Sequence, residues 1–393
     1  MVHMPWLSFD LQMRCVYALA SLIWVPLMLS GCNGSENHPH NNSRPQTAQD
    51  LTIGLPSMVT IAPEDRGDGW SVSKPDDEGV NGTLLLATLQ DTQHGAYPGT
   101  DSVVVVKNGR LIAEGYFNGF GREILHDFRS ASKSMTSALV GIAVSQGSLA
   151  VDEPITNFYR LESHANPDPR KANIRVINLL NMSSGLTCDD WSPGSIGNES
   201  RMYASLDWIA FALDLPMSAN PGERSSYCSA GAVLLGDMLS LRTGMALDDY
   251  ANMYLLQPLG IEQALWRRSP DGHATGGGGM RLRPRDAAKF GQLYLDGGVW
   301  QGQQIVPKDW VDESQRTFTT LNNDGYGLLW WKHSLQAHGN VEEAFSADGN
   351  GGNFIFVFPQ EALVVVFTAS NYDTDLTRQP LDILTKGILP AVQ

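Results

Sequence analysis

The chain runs to 393 residues, 42% hydrophobic and 18% charged, enough apolar material to bury a large core in one elaborate domain or two. That composition excludes intrinsic disorder and coiled coil as the main organisation. A formal net charge of -15, with no Lys/Arg-rich stripe to offset it, repels phosphate backbones and argues against nucleic acid as a partner.

The first element in chain order is a targeting segment. From Cys15 to Leu29 the run CVYALASLIWVPLML is uncharged and apolar, the length of a signal-peptide h-region and short of the about 20 residues of a membrane span. Asp10 is out of place in a basic n-region that starts at Met1, whereas a start at Met13 sets Arg14 directly before the apolar run. Leu29-Ser30-Gly31-Cys32 resembles the box of bacterial lipoproteins, which implies a signal peptide over 1–31 and a lipid anchor on Cys32. An ordinary signal peptide with a chance cysteine is the competing reading. Asn33 after Cys32 implies, by resemblance to Gram-negative lipoproteins, export to the periplasmic face of the outer membrane. Residues 32–50 are polar and Asn-rich, a flexible tether to a domain over 51–393; His38 and His40 within it read as solvated rather than metal-binding.

SVVVVK (102–107) and RLIAEGYF (110–117) flank Asn108-Gly109, the strongest short hairpin signal, so a hairpin is expected to open the folded domain. From about 127 to 146 the apolar spacing becomes that of an amphipathic helix, with Ala131, Met135, Ala138, Leu139 and Ile142 on one stripe and Gly147 as its stop. Further helices are expected around 174–182, 206–214, 229–241 and 284–296. Near the end, NFIFVF (353–358), a turn at Pro359-Gln360-Glu361 and LVVVFT (363–368) read as strands, and a last helix spans about 377–388. Strands at both ends around helices predict an α+β chain. One antiparallel sheet from both chain ends, flanked by helices, forms a lobe from about 85–155 and 320–393; a helical middle lobe takes about 156–319, with a cleft between them for a site.

Ser-x-x-Lys occurs twice, and about one match is expected by chance in a chain this long. The pair converges only on a helix, where residues three apart share a face. In Ser71-Val72-Ser73-Lys74 the following Pro75 pushes Lys74 out of helical geometry. Ser130-Ala131-Ser132-Lys133 opens the helix at 127–146, so Ser130 meets the positive end of the helix dipole with Lys133 over it, while Ser132 points away. A serine hydroxyl becomes a nucleophile when a base takes its proton, and burial can bring a lysine's pKa down to that task. Tyr227-Cys228-Ser229, after the turn formers Pro221-Gly222, could bring a phenol into that proton traffic. Ala347-Asp348-Gly349-Asn350-Gly351-Gly352 precedes a strand where a backbone N–H could face an oxyanion. In an exported chain Cys15 leaves with the signal and Cys32 carries lipid, leaving Cys188 and Cys228 to pair as a disulfide or to stay as two buried thiols. Asp189, Asp190 and Trp191 either line the cleft or form a solvated loop. Gly276 to Gly279 reads as a tight turn, since no Gly-Lys-Ser/Thr follows it. No Gly-x-Ser-x-Gly elbow and no zinc-spaced His pair is present, so neither a metal nor a cofactor is expected.

In this order the features resemble the serine β-lactamase and penicillin-binding-protein superfamily, particularly its class C-like esterases and amidases, including the nylon-oligomer hydrolases. The likeness runs over about 85–390 and includes LLNMSSGL (179–186), the Tyr-x-Ser box and GGGGMRLRPRDAAKFGQLYLDGG (276–298). It implies the β-lactamase/DD-peptidase-like fold and a serine hydrolase working through an acyl-enzyme on a small ester or amide. By position it implies Ser130 as nucleophile, Lys133 as base, Tyr227 as proton shuttle and Ser229 as an orienting group. The oxyanion hole would be the backbone N–H groups of Ser130 and Asn350, with Gly349 beside them. One departure is clear: the family's Lys-Thr-Gly or His-x-Gly box falls on Ala347-Asp348-Gly349, so its cation is missing and an acid stands close by. A neutral or amino-bearing substrate then fits better than a penicillin. The competing readings are a penicillin-interacting peptidase or β-lactamase, and a non-catalytic envelope lipoprotein that uses the fold for binding.

Overall fold

The computed structural model describes residues 55–392 apart from His338, so the signal peptide, Cys32 and the tether with His38 and His40 lie outside the described residues. The hairpin is not the first element. Strands β1 (Met58–Ile61) and β2 (Ser71–Val72) and helix α1 (Gly82–Gln93) precede it. Asn108 and Gly109 both hold positive φ, 51° and 73°, as a two-residue hairpin turn demands, and join β3 (Thr100–Lys107) to β4 (Arg110–Tyr116). β1 pairs antiparallel with β4 on its far side, and β2 runs parallel to it, so the sheet begins well before residue 85. No hydrophobic alternation marks those short segments, which is why they escaped a periodicity reading.

The remaining strands of this sheet come from the other end of the chain: β5 (Thr319–Leu321), β6 (Asp324–Tyr326), β7 (Trp331–Ala337), β8 (Asn340–Gly349), β9 (Asn353–Phe358) and β10 (Leu363–Ala369). Among the described residues they form one sheet in the order β1-β4-β3-β10-β9-β8-β7-β6-β5, with β2 beside β4. The two chain ends meet where β10 pairs antiparallel with β3, Val366 opposite Val104 and Val364 opposite Val106. These central strands read as unbroken Val/Phe runs because both faces are covered. Val103, Val105, Phe356 and Phe367 face α1 and the C-terminal helical stretch through Leu85, Leu89, Ile383 and Ile388. Val104, Val106, Ile355 and Val366 face the larger core on the other side.

Three helices set the site. α2 (Ser132–Ser145) and α3 (Ser229–Thr243) pack together, and α4 (Pro284–Leu295) lies on the sheet against β10, β9 and β3. By sequence position α4 falls in the stretch expected for the helical lobe. It reaches the sheet because Gly291 has no side chain: a Cβ there would stand 2.6 Å from Val364 Cγ1 and 2.9 Å from Ile355 Cγ2. α2 also differs from its reading as an amphipathic helix, since every residue from Ser132 to Ala143 is buried. Two of its buried polar side chains reach backbone, Ser134 donating to Leu329 O at 2.7 Å and Thr136 to Gly276 O at 2.9 Å. A fully enclosed helix is a rigid mount for the side chains at its start.

Candidate active site

Ser130 sits in a single 3-10 turn, Arg129–Ala131, directly ahead of α2 rather than in the helix itself. The turn continues smoothly into the helix, so the three-residue spacing still brings Lys133 Nζ to Ser130 Oγ, 2.8 Å apart, with the amine donating. Ser132 is turned elsewhere: its hydroxyl donates to Arg129 O (2.6 Å) and accepts from Met280 N (3.0 Å). In the other copy of the motif, Ser71 lies on β2 and Lys74 is extended at ψ 143° before Pro75, so no such pair forms. Arg129, just before Ser130, holds φ +50°, a strained position for a side-chain-bearing residue.

Two glycines let distant backbone close on this turn. A Cβ on Gly349 would stand 2.2 Å from Phe128 O, and one on Gly278, at φ +130°, would stand 3.0 Å from Arg129 O. Gly276 to Gly279 therefore does more than turn the chain. It buttresses the Ser130 turn, with Gly279 N donating to Arg129 O at 3.0 Å. Ala347, Asp348 and Gly349 end strand β8 instead of forming a turn; the turn begins at Asn350. Asn350 and Ser130 consequently line one cleft of about 710 Å³ together with Tyr227.

Lys133 is 1% exposed. Burial lowers its pKa, and the charges of Glu199 and Asp190 restore only part of the shift. Tyr227 is buried beside it, the lysine nitrogen 5.1 Å from the ring centre. Burial pushes the Tyr227 phenol well above its ordinary range, against a hydrogen bond with Ser130, so the ring carries its proton at neutral pH. Of the two partners of Ser130, the lysine is the one suited to accept a proton and the phenol the one suited to hand one on.

Ser229 does not point at this pair. Its hydroxyl donates to Glu199 Oε2 at 3.0 Å and its N–H to Asp190 Oδ2 at 2.6 Å, so it holds the two acids whose charges act on Lys133. Burial lifts Asp190 to about 6 against the attraction of Lys133. Cys188 and Cys228 form a disulfide, tying the loop of Asp190 to the segment of Tyr227 and Ser229. A cationic side chain does line the cleft, from another strand. His333 on β7 sits between Asp324 (Nδ1 to Oδ1, 3.2 Å) and Asp348 (Nε2 to Oδ2, 3.0 Å). Burial opposes its charge, but Asp348 and Asp324 outweigh that and hold its pKa at about 10. The trio still carries one net negative charge, because two carboxylates face one imidazolium. Glu199, Trp331, His333 and Asp324 belong to no motif. The alternation of Trp331 and His333 along one face of β7 was the only local signal for any of them.

A serine against a buried lysine and a protonated tyrosine, set against the inner strands β8 and β9 of the sheet, defines a serine hydrolase. Residues 87–385 match the beta-lactamase family, and the chain belongs to it. The 6-aminohexanoate-dimer hydrolase of Paenarthrobacter ureafaciens is 25% identical over 297 residues, 70% of this chain and 74% of that one. The same fold occurs in EstCE1, a hydrolase with promiscuous acyltransferase activity, at TM-score 0.62 and 17% identity, covering 77% of this chain and 97% of that one. It occurs also in the octameric penicillin-binding protein homologue from Pyrococcus abyssi, at TM-score 0.59 and 21% identity, covering 78% and 77%.

Proposed function

We propose that the chain hydrolyses a small ester or amide through an acyl-enzyme on Ser130. The observation that carries this is the 2.8 Å contact from the buried Lys133 amine to the Ser130 hydroxyl. With Lys133 neutral, Ser130 Oγ attacks the carbonyl carbon and its proton passes to Nζ. The backbone N–H groups of Ser130 and Asn350 receive the oxyanion. As the C–O or C–N bond breaks, the leaving atom takes a proton from Tyr227, which recovers one from Lys133. Water then attacks the acyl carbon, gives its proton to the same pair and leaves the free acid with Ser130 restored. Asp348 and Asp324, only half offset by His333, favour a neutral or amino-bearing substrate over one with a carboxylate beside the scissile bond. A relative named for a 6-aminohexanoate dimer agrees with that preference. On one purified sample, a fluorophosphonate is expected to add once by intact mass and simple esters and amides to turn over, while a fluorescent penicillin leaves no lasting adduct. Stable penicillin labelling with no ester turnover would favour the peptidase reading instead.

The reading extends to location: the signal over 1–31 and the box ending at Cys32 support export and lipid anchoring, and a Cys188–Cys228 disulfide suits an oxidising compartment. Cells fed an alkyne fatty acid are expected to label the wild type and not Cys32→Ser. Equal labelling of both would count against the anchor.

A further inference from the structure

Trp191 is half exposed, at 51%, and is one of two tryptophans on the cleft wall beside Ser130 and Tyr227. Its ring lies parallel to that of Tyr227, centres 5.2 Å apart at 6°. Trp331 completes a triangle, 5.7 Å from Tyr227 and 6.0 Å from Trp191. The other two rings of this triangle are buried, so the indole of Trp191 is the part of the aromatic wall left open to the cleft.

The loop that carries it is held firmly on both sides. The Cys188–Cys228 disulfide lies three residues before it, Asp190 N donates to Tyr227 O at 2.9 Å, and Asn198 Nδ2 donates to Asp190 O (2.9 Å) and Ser192 O (3.2 Å). An exposed tryptophan on a rigid frame loses little conformational freedom when a second flat or apolar group covers it, the condition under which aromatic anchors contribute most to binding.

We infer that Trp191 is a specificity-determining residue, holding an aromatic or extended apolar leaving group of the substrate against its open face. This inference rests on the Ser130 reading above. The direction follows from the neighbour. Tyr227 hands its proton to the leaving atom, so whatever that atom carries emerges over the rings packed against Tyr227, and Trp191 is the one that still has surface to offer. The group on the acyl side instead departs from the carbonyl away from the phenol.

The test compares each variant with wild type on the same substrate, so that intrinsic leaving-group reactivity cancels. Trp191→Ala is expected to lose roughly tenfold in kcat/KM on 2-naphthyl acetate, mostly through KM, and less than twofold on ethyl acetate. Trp191→Phe, which keeps a flat ring and guards against a loop that collapses in the alanine variant, is expected to recover most of the loss. Equal losses on both acetates would mean that Trp191 only supports Tyr227, and a loss confined to ethyl 2-naphthoate would put the ring on the acyl side; either result overturns the assignment. Fluorophosphonate labelling expels fluoride and needs no leaving-group surface, so its rate is expected to be equal in wild type and Trp191→Ala. No labelling of the wild type would strike down the Ser130 reading, and this inference with it.

Discussion

Ser130→Ala is expected to abolish covalent labelling and to cut kcat/KM on every ester or amide turned over by on the order of 10⁴-fold or more, while the protein stays folded. The hydroxyl is the atom that bonds to the acyl carbon, and none of its neighbours can replace it: Tyr227 holds its proton and Lys133 has no second nucleophile to activate. The fold loses only the hydroxyl's contacts to Lys133 and Tyr227. Ser132→Ala is expected to behave in the opposite way. Its hydroxyl bridges Arg129 O and Met280 N, joining the Ser130 turn to the run of glycines; Arg129 O keeps Gly279 N, but the buried Met280 N–H is left unpaired at a cost of about 1–3 kcal/mol, with labelling retained. Intact-mass labelling and thermal melts on the two variants separate the roles. An adduct that persists in Ser130→Ala defeats the nucleophile assignment.

Lys133→Met is expected to reduce kcat by about 10²- to 10⁴-fold, the usual worth of a general base. Lys133→Arg is expected to fare no better, because a guanidinium stays protonated at any working pH. The pH profile carries the diagnosis. Burial depresses the lysine's folded pKa, so activity rises as pH climbs through that value, and the limb is expected to vanish in Lys133→Met. Asp190 pulls the other way by raising the lysine's pKa, so Asp190→Asn is expected to move the limb to lower pH. Stability follows with a definite sign. Between the depressed folded pKa and the ordinary value near 10.5 the unfolded chain binds more protons, so wild-type stability rises with pH across that window and the Met variant lacks the rise. A limb that survives unchanged in Lys133→Met would assign it to another group and remove the lysine as base.

Local features were legible because their physics is local. Asn108-Gly109 turns a hairpin by backbone preference alone, and Pro75 disqualifies the first Ser-x-x-Lys pair by its effect on Lys74. The valine and phenylalanine runs at 102–107, 353–358 and 363–368 read as strands, and their places at both ends of the chain around helices called for one sheet built from both ends. β1 and β2 left no such pattern, since each is an edge addition a few residues long. The Tyr-x-Ser box placed Ser229 near the pair, but a motif names a position and does not say which neighbour the side chain will find, here Glu199.

By itself the order of residues determined that Ser130 and Lys133 meet, since they need only one turn of helix to do so, and it determined the strand runs and the turn between them. Only the tertiary structure decided the conditions under which that pair works. Enclosing α2 on all sides desolvates Lys133, and the fold brings Asp190 and Glu199 to it from a loop tied down by the Cys188–Cys228 disulfide. Gly349 and Gly278 matter because two backbones meet there, which no local pattern records. His333 between Asp324 and Asp348, and the open face of Trp191 beside Tyr227, arise the same way. Charge, burial and ring stacking depend on distance in space, and the folded chain alone sets that distance for residues far apart along it.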